Sequence, residues 1–384
     1  MRLAQFSIFS KSSDTFFSRY FDENLNKQIL DKVATKCYIP TNQILLDALE
    51  KNPNLKISFS ITGVFLEQAR LYNPEIIESF RALAKTGRVD FLSETYYHSL
   101  SSLFNEKEEF AAQLKLHEQA ISEFAKPSQV LRNTEAMFSN NIASMAEGLG
   151  YKGIMTEGLE HLLGWRSPTY VYSVKNCKSI KALLRHFKLS DDIGYRFSQK
   201  SWNEWPLTAP KYTKWLSDLQ GDCVNLFMDY ETFGEHHWAD TGIHNFLKHL
   251  FSEIENYKHL EFATPGEIAN SIEPRGEIDS DSVISWADNE RDTSAWLGNE
   301  MQHSCWSELT SLEKPIKEIN DPELLRAWRH LQNSDHLYYC CTKSLSDQDV
   351  HNYFSPYESP FESYINFMNI LQDLKEEVNS RSRK

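Results

Sequence analysis

Acidic side chains follow three apolar runs of the sequence, and each run is predicted to be a β-strand. Glu94 follows the first of these runs, Glu135 follows the second, and Asp229 and Glu231 follow the third. In a barrel of alternating strands and helices, the groups that perform chemistry lie just past the C-terminal ends of the strands. We therefore expect these acids to converge on one pocket.

Paired carboxylates of this kind are the minimum set for cleaving a glycosidic bond. One carboxylic acid protonates the leaving oxygen, while the other carboxylate attacks the anomeric carbon or activates a water molecule. A separation of ~5 Å between the carboxyl groups gives retention of configuration, and ~6.5–9.5 Å gives inversion. Asp229 and Glu231 are two positions apart and share one face of a predicted strand, so the spacing alone leaves both as candidates.

Each acid also has a structural alternative. Glu135 could cap the helix predicted to begin near Asn140, because helix N-termini favour carboxylates. Asp229 or Glu231 could stabilise a turn, and Glu94 could pair with a neighbouring arginine.

A metal site is a further alternative for the third acidic segment. Asp229, Glu235, His236 and His237 supply oxygen and imidazole ligands. Their spacing matches neither the HExxH motif nor any cysteine–histidine zinc pattern. We therefore expect no bound metal.

Alternating short apolar runs and helical patterns predict the elements that position these acids. Strands are expected at residues 55–61, 88–92, 129–132, 152–156, 224–228 and 260–263. Helical stripes lie between them, for example at residues 110–124 and 243–254, and Thr264–Glu267 reads as a capped helix start with proline at the first position. This alternation predicts a parallel sheet, open or closed into a barrel. No GxGxxG or GxxxxGK[ST] motif follows a strand, which argues against a nucleotide-binding fold.

Beyond about Ser294 the strand pattern fades and helices are predicted. A helix should begin at residues 321–322, and Asp335 and Tyr338 continue its apolar stripe beyond Leu331. A carboxylate on an inward stripe needs a partner or a task. The alternative is that the helix ends by Ser334 and Asp335 is solvated.

Composition narrows the class of protein. The 384 residues include 40 basic and 54 acidic side chains, for a net charge of −14, which excludes a simple nucleic-acid binder. No apolar run is long enough to span a membrane, and no signal-peptide pattern follows the first residues. The six cysteines form no CxxC pair, so we expect a reduced protein in the cytoplasm.

Four segments together resemble the conserved regions of glycoside hydrolase family 57, in its alpha-amylase-like branch. Residues 227–236 (FMDYETFGEH) are similar to the fourth region, 131–135 (LRNTE) to the third, 87–95 (GRVDFLSET) to the second and 334–339 (SDHLYY) to the fifth. The similarity extends over residues 20–360, and the match to the fourth region is the longest and most specific.

The resemblance implies a role for each aligned residue. It aligns Asp229 with the general acid/base and Glu135 with the nucleophile, and it aligns Glu94 with an acid that contacts substrate. Asp335 and Tyr338 align with positions that face the sugar subsites. Loop position and chemistry add four candidates for stacking on sugars or hydrogen bonding to them: Tyr97, His98, Trp238 and Trp286. Trp286 could alternatively belong to a surface loop held by arginine–aspartate pairs.

The fold implied by the resemblance is an incomplete (β/α)7 TIM-like barrel over residues 1–290. A helical domain at residues 291–384 would complete the active-site cleft. The family's first region, a His-Gln-Pro motif on the first strand, is missing, and residues 2–9 resemble the segment that follows it. We therefore expect either a coding start further upstream or a barrel that lacks its first strand.

The implied activity is retaining hydrolysis of alpha-glucans without a cofactor, as in an alpha-amylase. One alternative is a 4-alpha-glucanotransferase or branching enzyme with the same fold. A second is a non-catalytic glucan-binding protein, because the first conserved region is missing. The expected partner is an alpha-glucan polysaccharide or maltooligosaccharide, with neither nucleic acid nor a membrane involved.

Overall fold

The computed structural model describes residues 1–7, 15–343 and 355–382, and its centre is a seven-stranded sheet. The strands, in chain order, are β1 Ile57–Ser60, β2 Val89–Ser93, β3 Pro127–Arg132, β4 Gly153–Glu157, β5 Tyr172–Val174, β6 Lys181–Arg185 and β7 Glu277–Ile278. Their spatial order is β1-β2-β3-β4-β6-β5-β7, and the sheet curls into half a barrel.

All neighbouring pairs run parallel except β5 and β6, which are antiparallel. Only residues 175–180 connect these two strands, and a parallel crossover needs a dozen or more residues. The all-parallel sheet predicted from the sequence is therefore wrong at this edge.

The first four predicted strands are confirmed as β1 to β4. The segment at residues 224–228 makes only one parallel bridge, between Asn225 and Arg185, and residues 260–263 lie in no strand. The strands β5, β6 and β7 were not predicted; β5 and β7 have only three and two residues.

Helices cover the sheet and follow it in the chain. The α-helices are Phe16–Tyr20, Glu23–Val33, Ile39–Lys51, Gly63–Tyr72, Pro74–Lys85, Glu108–Ser122, Asn140–Gly148, Glu160–Leu163, Phe187–Gly194, Ala209–Asp218, Ile243–Ile254, Pro265–Ser271, Ser294–Leu297, Glu300–Ser311, Glu313–Ile319, Pro322–Leu331, Asp335–Tyr338 and Pro360–Ser382. A π-helical segment, Ala34–Tyr38, joins the second and third of these. None of the helices in the described ranges is long and apolar enough to cross a bilayer.

Local signals account for several of these helices. The predicted start at Thr264 is a capping box: its hydroxyl accepts from the Glu267 amide at 3.2 Å, and the Glu267 carboxylate accepts from the Thr264 amide at 2.9 Å. The helix Ile243–Ile254 buries its predicted apolar stripe.

The helices after residue 293 share one hydrophobic core with the sheet. Leu131 and Ile154 of the sheet belong to the same buried cluster as Trp296, Trp328 and Phe367. Burial of these large side chains stabilises the C-terminal helices against the sheet, at roughly 1.5–3 kcal/mol for a fully buried apolar side chain. The C-terminal ends of β2 and β3 thus lie close to residues 333–338.

Candidate active site

Glu135 lies in a strained turn directly after β3. It is the central residue of the 3₁₀ turn Thr134–Ala136 and has φ 56° and ψ 27°, in the left-handed region that a residue with a Cβ rarely adopts. Its carbonyl oxygen accepts a hydrogen bond from the Trp286 amide at 3.3 Å, which helps to hold this backbone. Such strain persists where surrounding contacts fix the geometry, often at functional sites.

The capping alternative for Glu135 is wrong. The helix Asn140–Gly148 is capped by Ser139, whose side chain accepts from the Ile142 amide. The Glu135 carboxylate instead points into the cleft and accepts three hydrogen bonds, from His98 Nε2 at 2.8 Å, Trp286 Nε1 at 2.8 Å and Ser334 Oγ at 3.4 Å.

These donors keep Glu135 ionised. Burial acts to raise its pKa, but the hydrogen bond and charge of His98, the charge of Arg132 and the hydrogen bond from Trp286 outweigh it and lower the pKa to about 2. The side chain is 15% exposed, so it is not fully enclosed by protein. A fixed, ionised carboxylate of this kind is suited to nucleophilic attack.

His98 connects Glu135 to a second buried acid. Its Nδ1 lies 3.7 Å from Glu94 Oε2, and Glu94, which is 1% exposed, accepts from Ser60 Oγ at 2.6 Å. Burial acts to lower the pKa of His98, but the two carboxylates raise it to about 10. The imidazole is therefore a cation between two anions, and the pKa of Glu94 is lowered against the opposing effect of burial. The charge of Arg132 also lowers the pKa of Glu94, so a neighbouring arginine acts on this acid together with His98.

Asp229 differs from Glu135 in its electrostatic environment. It lies at the solvent-exposed mouth of the cleft, as the cap of the turn Tyr230–Thr232. Desolvation by the surrounding protein raises its pKa, as do the charges of Glu231 and Glu135, while His236 and Arg132 oppose the rise. Because the residue is exposed, water screens part of this effect. Asp229 thus holds a proton more readily than an ordinary aspartate, and its charge interacts with that of Glu135.

Asp229 and Glu231 differ in their hydrogen bonds, although the charge of Glu231 acts on Asp229. Segment 223–229 is not a regular strand, so the strand geometry from which a shared face was predicted is absent there. Tyr38 donates a hydrogen bond from its hydroxyl to Glu231. Glu231 is therefore engaged with the π-helical segment Ala34–Tyr38, while Asp229 is exposed.

Trp286 contacts the Glu135 carboxylate with its indole N–H, and cations lie over its ring. The guanidinium carbons of Arg132 and Arg185 are 4.7 Å and 5.5 Å from the ring centroid, and Phe227 lies 5.5 Å away, tilted. Trp286 was predicted as a platform for sugar stacking, but its ring is covered by these side chains. Its indole N–H instead donates to the Glu135 carboxylate at 2.8 Å.

A buried ion network supports the loop that carries Trp286. Arg185 lies 2.9 Å from Glu157, whose side chain is 0% exposed, and Arg291 lies 3.2 Å from the same carboxylate. Asp191 accepts from Arg185 as well. Arg291 also donates to the carbonyl oxygen of Trp286, so the network is bonded to the backbone of this loop.

Tyr338 lies within reach of the site. Burial, then the charges of Asp288 and Glu135, raise the pKa of Tyr338 above its usual range. The helix Pro322–Leu331 ends before Ser334, so the predicted continuous apolar stripe is wrong. Asp335 begins the separate short helix Asp335–Tyr338, is half-buried, and its charge interacts with the ammonium group of Met1.

Two predicted sugar contacts are placed elsewhere. Tyr97 is 6% exposed and packs against His330, with ring centroids 4.8 Å apart. Trp238 is 59% exposed, with Lys36 Nζ 5.0 Å from its ring centroid, and it lines a surface groove with His244. Neither has a contact with Glu135 among the described residues.

The metal alternative has little support from the side chains proposed for it. Glu235 pairs with Lys32 and with Lys36 at 3.6 Å. His237 bonds to Ser198 Oγ at 2.7 Å and to the carbonyl oxygen of Ile193 at 2.9 Å. Within residues 1–7, 15–343 and 355–382, no group of three histidine, cysteine, aspartate or glutamate side chains could hold a metal ion.

Sequence reasoning missed two residues of this cleft. Arg132 lies inside the segment that was compared with the third conserved region, but only its acid was considered. Tyr195 exposes 65% of its surface, and desolvation followed by the charge of Asp229 raises its pKa to about 12, so it borders the mouth of the cleft. Nothing local in the sequence indicates that Tyr195 is near Asp229.

Comparisons with known proteins identify the family of this chain. The family model for glycosyl hydrolase family 57 matches residues 10–281. A protein of Methanocaldococcus jannaschii named "Putative alpha-amylase" is 46% identical over 377 residues, which cover 95% of this chain and 80% of that protein.

Solved structures share the fold at low sequence identity. The 4-alpha-glucanotransferase from Thermococcus litoralis has a TM-score of 0.69 at 15% identity, over 90% of this chain and 57% of that one. A GH57-type branching enzyme from Pyrococcus horikoshii has a TM-score of 0.67 at 13% identity, over 94% and 90%. The chain spans little more than half of the glucanotransferase. The family predicted from the sequence is confirmed: the chain belongs to glycosyl hydrolase family 57.

Proposed function

We propose that this protein is a retaining glycoside hydrolase of the alpha-amylase type, with Glu135 as nucleophile and Asp229 as general acid/base. The observation that carries the proposal is the opposite perturbation of the two acids. The pKa of Glu135 is lowered to about 2 by its hydrogen-bond donors and neighbouring cations, against burial, and that of Asp229 is raised by desolvation and nearby anions. Environments that push the pKa values of two carboxyl groups apart are the pattern that assigns nucleophile and acid.

The mechanism follows from these two states. Glu135 attacks the anomeric carbon and forms a covalent glycosyl–enzyme ester, while Asp229 gives its proton to the departing glycosidic oxygen. Asp229, now a carboxylate, removes a proton from an incoming water molecule, whose oxygen attacks the anomeric carbon and releases Glu135. His98 and Trp286 hold the carboxylate in place through both steps.

The remaining predicted substrate contacts belong to the same proposal. His98, which donates to Glu135, and Tyr338, on which the charge of Glu135 acts, contact the glycosyl unit that Glu135 would carry, and Glu94 acts there through His98. Trp286 contacts Glu135 directly, so its place is beside the nucleophile. Asp335, Tyr97 and Trp238 stay candidates for more distant subsites or for packing. The substrate is a neutral alpha-glucan or maltooligosaccharide, which the family membership and the alpha-amylase name of the 46% identical relative support.

We extend the proposal to architecture and location. Residues 1–290 form an incomplete (β/α)7 barrel and residues 291–384 a helical unit that completes the cleft, as the similarity to structures of family 57 enzymes supports. The location is the cytoplasm, in line with the six cysteines, which are all free thiols.

A trapping experiment tests the nucleophile. A 5-fluoro-α-glucosyl fluoride should add one glycosyl group to the wild-type protein, and peptide mass spectrometry should locate it on Glu135. Glu135→Gln should take up no label and should lose at least about 10³-fold in turnover of maltopentaose. Glu231→Gln, a change of the same chemical kind near Asp229, should still be labelled; a label on any other residue would refute the assignment.

The products separate the hydrolase from its alternatives. Incubation with maltotriose should yield only shorter sugars, whereas longer oligomers would assign a 4-alpha-glucanotransferase and new α-1,6 branches a branching enzyme. The folds of enzymes with those names resemble this chain. Glucan binding without turnover would assign a non-catalytic protein. Turnover should also survive EDTA, since the proposed steps use no metal.

A further inference from the structure

Among the described residues, Arg132 is a buried cation that forms no ion pair or hydrogen bond with a carboxylate. The residue is 5% exposed at the end of β3, its Nε is buried without an acceptor, and in the described part of the chain its guanidinium donates no hydrogen bond to a protein group. The neighbouring Arg185 and Arg291 both pair with Glu157. A buried charge normally requires a partner because burial removes its hydration.

Aromatic rings supply the only partners that Arg132 has in the described residues. Its guanidinium carbon lies 4.7 Å from the centroid of the Trp286 ring and 5.3 Å from that of Phe227. A guanidinium held over a ring gains roughly 0.5–2 kcal/mol, more when it is desolvated. Since the same indole donates its N–H to Glu135 at 2.8 Å, Arg132 contacts the group that orients the nucleophile.

The charge of Arg132 also acts on the ionisable groups of the cleft. It contributes to the electrostatic environment of Glu94, His98, Glu135 and Asp229. Arg132 is thus a second cation, after His98, that acts on the carboxylates of Glu94 and Glu135. Removing it would leave these carboxylates and Glu231 with one positive charge fewer among them.

We propose that Arg132 is a positioning residue, which holds Trp286 against Glu135 by lying over its ring and supplies a second positive charge to the carboxylates of the cleft. This inference rests on the proposed function, because it assigns Arg132 to the same reaction. Arg132 acts through Trp286 and through its charge, and it takes no part in proton transfer.

Three substitutions separate charge from stacking. Arg132→Met keeps much of the side-chain length without charge, Arg132→Gln keeps a planar amide, and Arg132→Lys keeps the charge without the planar fork. Arg132→Met and Arg132→Gln should each lower kcat on maltopentaose about 10- to 100-fold with little change in KM, because the nucleophile is misplaced after substrate binds. Arg132→Lys should recover only part of kcat.

The pH profile provides a readout that packing alone would not change. Asp229 faces Glu135, Glu231, His236 and Tyr195 as well as Arg132, and removing the cation leaves the anions dominant. In Arg132→Met the basic limb of kcat/KM should therefore move to higher pH, and Arg132→Lys should restore it. Arg275→Met, at an exposed arginine paired with Asp222, should leave both parameters unchanged.

The outcomes for Arg132 and for the proposed function are distinguishable. An active wild type whose Arg132→Met variant keeps its kcat and its pH limbs would overturn the positioning role alone. If the wild type neither turns over nor is labelled at Glu135, the proposed function fails, and unfolding midpoints then test the stack. Arg132→Met and Trp286→Phe combined should shift the midpoint by less than the sum of the single shifts; additive shifts would overturn the contact.

Discussion

His98 offers the sharpest test of the electrostatics of this cleft, through the variant His98→Gln. The imidazolium lies between Glu94 and Glu135, and its pKa is about 10 against 6.5 for an ordinary histidine, because the two carboxylates outweigh the effect of burial. A histidine with a raised pKa stabilises the folded state fully below its unfolded pKa. That stabilisation is lost as pH rises from 6.5 to about 10.

The magnitude follows from the two pKa values. At 1.36 kcal/mol per pKa unit, the difference for His98 corresponds to about 5 kcal/mol, and that for Glu135, from 4.5 to about 2, to about 3 kcal/mol. The two figures describe one overlapping interaction and are not added; the histidine value is larger because Glu94 contributes to it as well. Near pH 6 we expect the free energy of unfolding of the wild type to be about 3–5 kcal/mol larger than that of His98→Gln.

The difference between the two proteins should fall as pH rises. Urea unfolding followed by tryptophan fluorescence, at several values between about pH 6 and pH 10, gives the free energy of unfolding for each. By pH 10 most of the difference should be gone, because His98 then loses its proton. On the acid side the difference should also fall, from pH 4.5 towards about 2, as Glu135 becomes protonated.

His117→Gln is the matched control. His117 is buried, its Nε2 lies 2.7 Å from the carbonyl oxygen of Ile61, and burial lowers its pKa, so it is neutral above pH 6.5. Its substitution should destabilise the protein by an amount that does not change between pH 7 and 10. A His98→Gln difference that is equally flat over this range would refute the charged imidazolium.

Other substitutions test the elements around the site. Arg185→Met removes one of the two arginines that pair with Glu157, whose side chain is 0% exposed. The free energy of unfolding, measured with urea, should fall by about 3–5 kcal/mol, and a fall below about 1 kcal/mol would mean that the network contributes little. Gly63→Ala places a Cβ 2.2 Å from a tyrosine ring, so the ring must move, and a loss of about 1–3 kcal/mol should lower the melting temperature; an unchanged melting temperature would contradict the close contact. Glu231→Gln removes an anion that raises the pKa of Asp229, so the basic limb of the kcat/KM profile should move to lower pH. If the limb does not move, it does not report the titration of Asp229.

Local position in the sequence predicted which side chains come together in part of the site. Glu135, His98 and Glu94 were all predicted near the ends of two strands, and β2 and β3 are parallel neighbours, so their C-terminal ends meet. Their loops therefore bring these side chains together. Tyr97 is adjacent to His98 in the chain, yet it points into the core, because neighbouring residues in a tight turn face different directions.

Much of the secondary structure was determined by the sequence itself. The strands β1 to β4, the capped helix at Thr264 and the helices after residue 293 all follow from apolar spacing and from capping residues, which act between chain neighbours. The pairing of acids with strand ends follows from the same local patterns. These features need no knowledge of distant contacts.

Tertiary structure alone decided which groups act on Glu135. Trp286 reaches it from a loop that the buried arginine network fixes, and Ser334 reaches it from the C-terminal helices. Tyr38 likewise engages Glu231 and leaves Asp229 at the cleft. Hydrogen bonds and charge interactions between residues so far apart in sequence depend on how the sheet curls and how the loops pack. Spacing along the chain predicts neither the curvature of the sheet nor the packing of the loops.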